Sequence, residues 1–283
     1  MELVLIQFLN SLSFISVLSL IGIGLAVQLV MMGVINLAHG EFLMLGAYVV
    51  WLLYPILHNF WIALFFASIG VGLFSLIVQR TIIVPLYRRP LDTILATWGV
   101  GIVIREMVRL VFGKGYKSLA VPIPGFVSFW DIQYSTYRLF IIAMGILVLF
   151  GVAVFFFKTE YGLWARAIMT NKEMTSAVGV NTDRVNQLVF AMGASLAALA
   201  GGLIAPIYTA GPYMGLDWLV GAFFVVVIGG VNTIWAPIGG AIVMGGSRGV
   251  VEYFLEPVLA QIIVLIIAII VVRLRPQGLF VQS

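Results

Sequence analysis

Long apolar runs separated by short polar connections make up nearly the whole chain. Most of these runs approach the roughly 20 helical residues that a hydrocarbon core about 30 Å thick requires. Their apolar residues do not alternate as in barrel strands, and backbone groups in lipid must be hydrogen-bonded internally, so the pattern predicts helices. The predicted spans are residues 12–32, 41–57, 60–79, 92–112, 138–157, 186–209, 217–230, 236–254 and 258–273.

This pattern predicts an all-α, polytopic membrane protein with eight or nine transmembrane helices in a single domain, residues 1–283. The seventh stretch is short and ends in Gly229-Gly230-Val231-Asn232, so a re-entrant element is the alternative to a full span. Composition agrees, since 63% of the residues are hydrophobic and only 9% are charged, against about 25% charged in globular domains. The net charge of +4 therefore reflects membrane topology, and no nucleic-acid partner is expected.

Basic residues are concentrated in loops on one side of the predicted topology: Arg80, Arg88, Arg89, Lys158, Arg166, Lys172, Arg184, Arg273 and Arg275. The opposite side carries only Lys114, Lys117 and Arg138. By the positive-inside rule, the first set is cytoplasmic. The N-terminus is then outside and the C-terminus inside.

A polar stretch, Gly33 to Glu41, interrupts the apolar N-terminal region and contains Asn36, His39 and Glu41. Because polar and charged side chains are costly in lipid, we expect this stretch to face an internal cavity or a loop. Either Asn36 contacts a solute, or it caps the next helix with Glu41 in the first turn. The two interpretations are compatible and both stay open.

The Gly-x-x-Asn pattern of Gly33 to Asn36 recurs weakly at Gly229 to Asn232. Each copy follows an apolar segment and precedes a glycine-containing helix. Matched helix interruptions in two halves of a transporter indicate a substrate site, because unwound backbone exposes donors and acceptors.

Two longer loops separate the predicted spans. The outer loop, 113–137, contains prolines that forbid a continuous helix, and it is either an interfacial lid or a docking surface. The cytoplasmic segment, 158–184, should form short helices, with Asn171 as an N-cap, Glu173 in the first turn and Gly179 as a stop. It packs on a partner protein or lies on lipid.

Charged residues also occur within the predicted spans. Arg248 and Glu252 are four residues apart, which favours a structural ion pair over a proton relay. Arg105 and Arg109 share a face near the outer end of the fourth span, where we expect them to be snorkelling anchors.

Sequence motifs for catalysis are missing. There is no cysteine, neither histidine has metal-ligand spacing, and Gly113-Lys114-Gly115 lacks the rest of a phosphate-binding loop. We therefore expect no enzyme activity, no metal and no cofactor on this chain. If transport uses nucleotide, the nucleotide site lies on another chain.

Several motifs together resemble the permease subunits of branched-chain amino-acid and urea/amide ABC importers. These motifs cover residues 33–47, 161–167, 178–181, 229–240 and 275–280. The resemblance implies a bacterial inner-membrane permease that pairs with a second homologous permease subunit, alike or different. It also implies two cytoplasmic ATPase subunits, which hold ATP and magnesium, and an extracytoplasmic solute-binding protein.

The same resemblance implies that the cytoplasmic segment couples to an ATPase, which replaces the alternative of a helix lying on lipid. The coupling residues it indicates are Arg166, Asn171, Lys172, Glu173 and Gly179. Asn36, His39, Glu41, Trp98 and Asn232 are the expected residues of the substrate pathway.

The segment from Arg89 to Gly99, which includes Trp98, is similar to the urea and short-chain amide branch of the family. A neutral solute suits Asn36, exposed backbone and an aromatic wall. A zwitterionic amino acid would require fixed charges, and Glu41 with His39 keeps that alternative open. A stand-alone channel or secondary carrier is the alternative from another class.

Overall fold

The computed structural model of the chain is almost entirely helical. It describes residues 2–33, 35–86, 89–129, 132–230, 233, 235–275 and 278–280. The α-helices in the described chain are α1 (Glu2–Met32), α2 (His39–Leu57), α3 (Phe60–Val78), α4 (Pro90–Phe112), α5 (Thr136–Lys158), α6 (Glu160–Thr170), α7 (Lys172–Ala177), α8 (Thr182–Tyr208), α9 (Met214–Gly229), α10 (Ala236–Phe254) and α11 (Pro257–Leu274). A π-helical turn (Gln79–Ile83) and a 3-10 turn (Val84–Leu86) follow α3, and two strands, β1 (Phe126–Phe129) and β2 (Ile132–Ser135), precede α5.

The all-α prediction is confirmed, and each predicted span corresponds to a helix. The largest difference is in α1, which begins at Glu2 rather than at residue 12. By length and apolar composition, six of the described helices can cross a membrane: α1, α2, α3, α5, α8 and α11. α9 is apolar but shorter, while α4 and α10 carry charged residues. The number that cross, eight or nine, stays a prediction.

The chain divides into two compact units, and α1, α5 and α9 each contribute residues to both. One unit comprises Val27–Leu119 and Val148–Leu219, and its α2, α3 and α8 pack closely because glycines replace side chains between them. A Cβ on Gly46 would overlap the Ala198 carbonyl, and one on Gly201 would overlap the Leu43 carbonyl. Small residues allow this close backbone approach in membrane helices.

The other unit comprises Met1–Ala26, Ala120–Leu147 and Val220–Ser283. Its packing is organised around the first part of α1. Glycines of α5, α9 and α10 face α1 side chains: Gly145 faces Ser16, Gly221 faces Leu18, Gly245 faces Ile15 and Gly249 faces Ser11. Small residues therefore set helix separation in this unit as well.

The C-terminal tail caps α9. Backbone N–H groups of Leu279 and Phe280 donate to the carbonyls of Ile228 and Gly229, at 2.8 and 3.3 Å. These are carbonyls that a helix end leaves without internal partners. Leu279 and Phe280 therefore have a structural role at the C-terminal end of α9.

The two long loops carry short regular elements. In the predicted outer loop, β1 and β2 form an antiparallel hairpin that pairs Phe126 with Ser135. The prolines of this loop did not predict a hairpin. The segment predicted to be cytoplasmic, 158–184, forms the short helices α6 and α7, as expected. The side chain of Asn171 caps α7 by accepting from Met174 N at 2.9 Å. Gly179 follows α7 with φ +90°, a conformation that glycine adopts without strain.

Candidate functional site

The predicted first break separates α1 from α2. Gly33 has φ +69°, and α2 begins at His39. Glu41 lies in the first turn, as predicted, but the prediction that Asn36 is the N-cap is wrong because Ala38 occupies that position. The Asn36 Oδ1 accepts instead from Ala38 N at 3.1 Å, so its side chain stabilises the turn before the helix.

Gln28 of α1 joins this turn to α8. Its Oε1 accepts from Asn36 Nδ2 at 2.9 Å and lies 3.1 Å from His39 Nδ1. Its Nε2 donates to the Phe190 carbonyl at 2.9 Å. An amide oxygen only accepts, so Nδ1 of His39 carries a proton in this arrangement. Gln28, Asn36 and His39 are each fully buried, and the network fixes the orientation of all three side chains.

An ion pair lies beside this network. Arg105 of α4 donates from Nε to Glu41 Oε1 at 3.1 Å, and a second guanidinium nitrogen, Nη2, contacts the same oxygen. Glu41 is 1% exposed and Arg105 is 8% exposed. The prediction that Arg105 is a snorkelling anchor is therefore wrong. Arg105 lies seven residues before Phe112, the last residue of α4, which is about 10 Å along the helix axis. Its charge is compensated by Glu41.

The pair has further polar and aromatic neighbours. Thr97 Oγ1 accepts from Leu37 N at 3.2 Å, which attaches α4 to the turn before α2. The ring of Tyr213 lies 5.8 Å from the guanidinium of Arg105 and 5.6 Å from that of Arg109, distances at which cation–π attraction operates. Arg109 also pairs with the more exposed Glu106, at 2.6 Å.

Other residues predicted for the pathway are not part of this cluster. The Trp98 side chain is 53% exposed and lies off the buried face of α4. Asn232 lies outside the described residues. The pathway roles of both residues stay predictions.

The second charged pair belongs to the other unit. Arg248 Nε donates to Glu252 Oε1 at 2.6 Å along α10. The Arg248 guanidinium also lies 4.3 Å from the ring centroid of Phe14. The two side chains are partly buried, and their purely structural role stays a prediction.

The residues predicted to couple to an ATPase differ in the exposure and contacts of their side chains. Lys172 and Glu173 are exposed at the start of α7, and Asn171 is used as its cap. The guanidinium of Arg166 lies 4.7 Å from the Phe157 ring, so α6 is attached to the end of α5.

Sequence reasoning missed Gln28, Thr97 and the role of Arg105. Gln28 is a side-chain amide in an otherwise apolar run, and a buried amide needs a partner, so its presence there was a usable signal. Nothing in the neighbouring sequence distinguishes Arg105, which is buried, from Arg109. Among the residues that the structure describes, no three His, Cys, Asp or Glu side chains group as a metal site would require.

Comparison with known proteins decides the class of protein. The sequence model of the family described as "Branched-chain amino acid transport system / permease component" matches residues 7–272. The chain belongs to this family. It is an ABC importer permease, a multi-pass membrane protein, and the resemblance seen in its motifs is confirmed.

Individual relatives match over nearly their full length. The chain is 26% identical to the high-affinity branched-chain amino acid transport system permease protein LivH of Salmonella typhimurium, over 96% of this chain and 94% of the relative. It is 28% identical to the corresponding protein BraD of Pseudomonas aeruginosa, over 96% and 94%. A probable LivH of Methanocaldococcus jannaschii is 23% identical, over 93% and 88%.

Proposed function

We propose that this permease moves urea or a short-chain amide into the cytoplasm, driven by ATP hydrolysis on separate subunits. The buried hydrogen-bond network at the first helix break carries this proposal. Asn36, His39 and Gln28 are fully buried side chains in a chain with only 9% charged residues. Polar side chains buried inside a membrane protein are costly and mark solute pathways.

The chemistry of the network favours a neutral solute. Gln28 and Asn36 are amides, and Asn36 keeps a second N–H and a second acceptor lone pair beyond the bonds described. Glu41 is paired with Arg105, so the cluster offers no uncompensated charge for an ionic clamp. The similarity of residues 89–99 to the urea and amide branch supports the same solute class.

A branched-chain amino acid is the second candidate solute. The relatives described above are named as permeases for branched-chain amino acids. Glu41 and Arg105 are also the fixed charges that a zwitterion requires, provided that the pair opens to admit it.

The proposal includes partners on both membrane faces. A second permease subunit, two ATPases that hold ATP and magnesium, and an external binding protein would complete the importer. The N-terminus would lie outside and the C-terminus in the cytoplasm. In the segment proposed to bind an ATPase, Lys172 and Glu173 are exposed beside Met174 and Val178, which are 64% and 72% exposed. A short helix with exposed apolar and charged side chains suits a groove on a protein partner.

Uptake by the reconstituted importer tests the solute. The permease is placed in proteoliposomes with its ATPases and binding protein, and ATP-dependent uptake of urea, acetamide and leucine is compared. We expect uptake of urea or acetamide. Strong leucine uptake without urea or acetamide uptake would reject the first solute class, and flux through the permease alone, without ATPases, would instead support a channel or carrier.

Reversing the charge of Glu173 tests the coupling segment. We expect Glu173→Arg to lower coupled uptake about ten-fold, because loss of an interfacial charge contact costs on the order of 1–2 kcal/mol or more. Insertion into the membrane should be unchanged, since Glu173 is exposed. ATPase co-purification and uptake measure the effect, with Glu160→Arg, at an exposed position of α6, as the matched control. Normal coupled uptake by Glu173→Arg would remove this residue from the interface.

A further inference from the structure

The two carboxylate oxygens of Glu41 have different surroundings. Arg105 holds Oε1, whereas Oε2 has no hydrogen-bond partner in the described part of the chain, although the side chain is 1% exposed. A buried carboxylate oxygen accepts hydrogen bonds strongly, and leaving it unpaired is unfavourable. This oxygen is therefore available to a donor that the chain itself does not supply.

We infer that Glu41 Oε2 accepts an N–H group of the transported solute, and that the Glu41–Arg105 pair determines which solutes the permease accepts. The inference rests on the proposed function, and it identifies the atom that the solute contacts. Arg105 binds no solute in this scheme. It neutralises the charge of Glu41 and holds Oε1, which leaves Oε2 as the acceptor.

Two glycines pack against this carboxylate. A Cβ on Gly215 would meet the backbone carbonyl of Gly40 at 2.6 Å and Glu41 Oε2 at 3.0 Å, and one on Gly101 would lie 3.4 Å from Glu41 Cγ. A Cβ on Gly99, two residues earlier on α4, would meet nothing within 4 Å. A side chain would therefore crowd Oε2 at position 215, make ordinary contact with Glu41 at position 101 and not approach it at position 99.

The ring of Tyr213 lies against the pair. It contacts the guanidinium of Arg105, and its side chain is 49% exposed, so it connects the buried pair with the surface of this unit. Arg109 lies over the same ring. Both cations are paired, Arg105 with Glu41 and Arg109 with Glu106, so no uncompensated charge beside the ring attracts an ionic solute.

The chemistry of the pair selects uncharged N–H donors. Urea and primary amides can donate to Oε2 while the ion pair stays intact. A zwitterion would have to separate Glu41 from Arg105 to use both charges, and a solute without N–H or O–H groups cannot donate a hydrogen bond to this oxygen. Tetramethylurea is such a solute, because it keeps the carbonyl of urea and has a methyl group in place of each N–H hydrogen.

Infrared difference spectroscopy on the assembled permease–ATPase complex tests the contact. The carboxylate stretch of Glu41 is assigned as the band lost in the double variant Glu41→Gln/Arg105→Gln, or shifted in Glu41→Asp if the double variant does not assemble. We expect this band to shift when urea or acetamide is added and to stay unchanged with tetramethylurea. The apparent affinity for urea should fall about ten-fold in the double variant, because a charge-assisted hydrogen bond is replaced by a neutral one.

The outcomes separate this inference from the proposed function. If the importer takes up urea but urea leaves the Glu41 band unchanged, the role of Oε2 is overturned and the proposed solute class stands. A band that shifts with leucine alone, in an importer that takes up leucine alone, would overturn the proposed solute class and, with it, the selection of uncharged N–H donors by the Glu41–Arg105 pair. Equal shifts with urea and tetramethylurea would show a change of environment rather than an N–H contact, and would also overturn the inference.

Discussion

Replacing Arg105 with glutamine is expected to destabilise the permease by about 3–5 kcal/mol, because it leaves the carboxylate of Glu41 buried without its cation. Glu41 is 1% exposed and cannot reach water without a change in the packing of α2 and α4. For a protein of this size, the loss corresponds to a fall in melting temperature on the order of 10 °C. Thermal unfolding of the purified permease in detergent measures it.

Two further variants separate charge compensation from general packing. In Glu41→Gln/Arg105→Gln no charge is buried, and we expect most of the lost stability to return, since replacing a whole buried pair is often close to neutral. Arg109→Gln, one turn further along α4, should leave the melting temperature nearly unchanged because Arg109 pairs with the more exposed Glu106. A large fall in Arg109→Gln, or no recovery in the double variant, would contradict the assigned role of the Glu41–Arg105 pair.

Adding a single methyl group at Gly201 is expected to have the second large effect. A Cβ there would overlap the Leu43 carbonyl of α2, and backbone cannot move aside as a side chain can. We expect Gly201→Ala to destabilise the permease by roughly 1–3 kcal/mol or more through overpacking. The fraction that remains monodisperse after heating in detergent reports the change.

Gly70→Ala is the matched control. Gly70 lies in α3 of the same unit, and a Cβ there meets nothing within 4 Å. Because alanine favours a helix interior over glycine by roughly 0.5–1 kcal/mol, this variant should be as stable as the parent or more so. If Gly201→Ala were equally stable, the close approach of α2 and α8 would not depend on glycine.

Much of the fold could be predicted from local sequence. Apolar runs of helical length located the long helices, because backbone groups in lipid have few alternatives to helical hydrogen bonding. The cap at Asn171 and the stop at Gly179 were also predictable, since both depend on residues close in the chain. The β hairpin of the outer loop was missed because each of its strands is only 4 residues long, too short for an alternating pattern to stand out.

The candidate site was predictable only in part. The stretch around Asn36, His39 and Glu41 stood out because polar side chains interrupt an apolar region. Arg105 was assigned to the membrane interface because its spacing from Arg109 and its distance from the helix end suggested snorkelling. Its actual partner is 64 residues away in the chain, and no local pattern encodes such a separation.

By itself, the sequence determined the helical membrane fold, the positions of the helices, the helix break at Gly33 and the family of the protein. These follow from residues close together in the chain and from motifs read in order. The tertiary structure decided which polar groups meet: Gln28 with Asn36 and His39, and Arg105 with Glu41. Burial favours the pairing of polar groups, but which distant group pairs with each one depends on how α1, α2, α4 and α8 pack, and that packing is set by the whole chain.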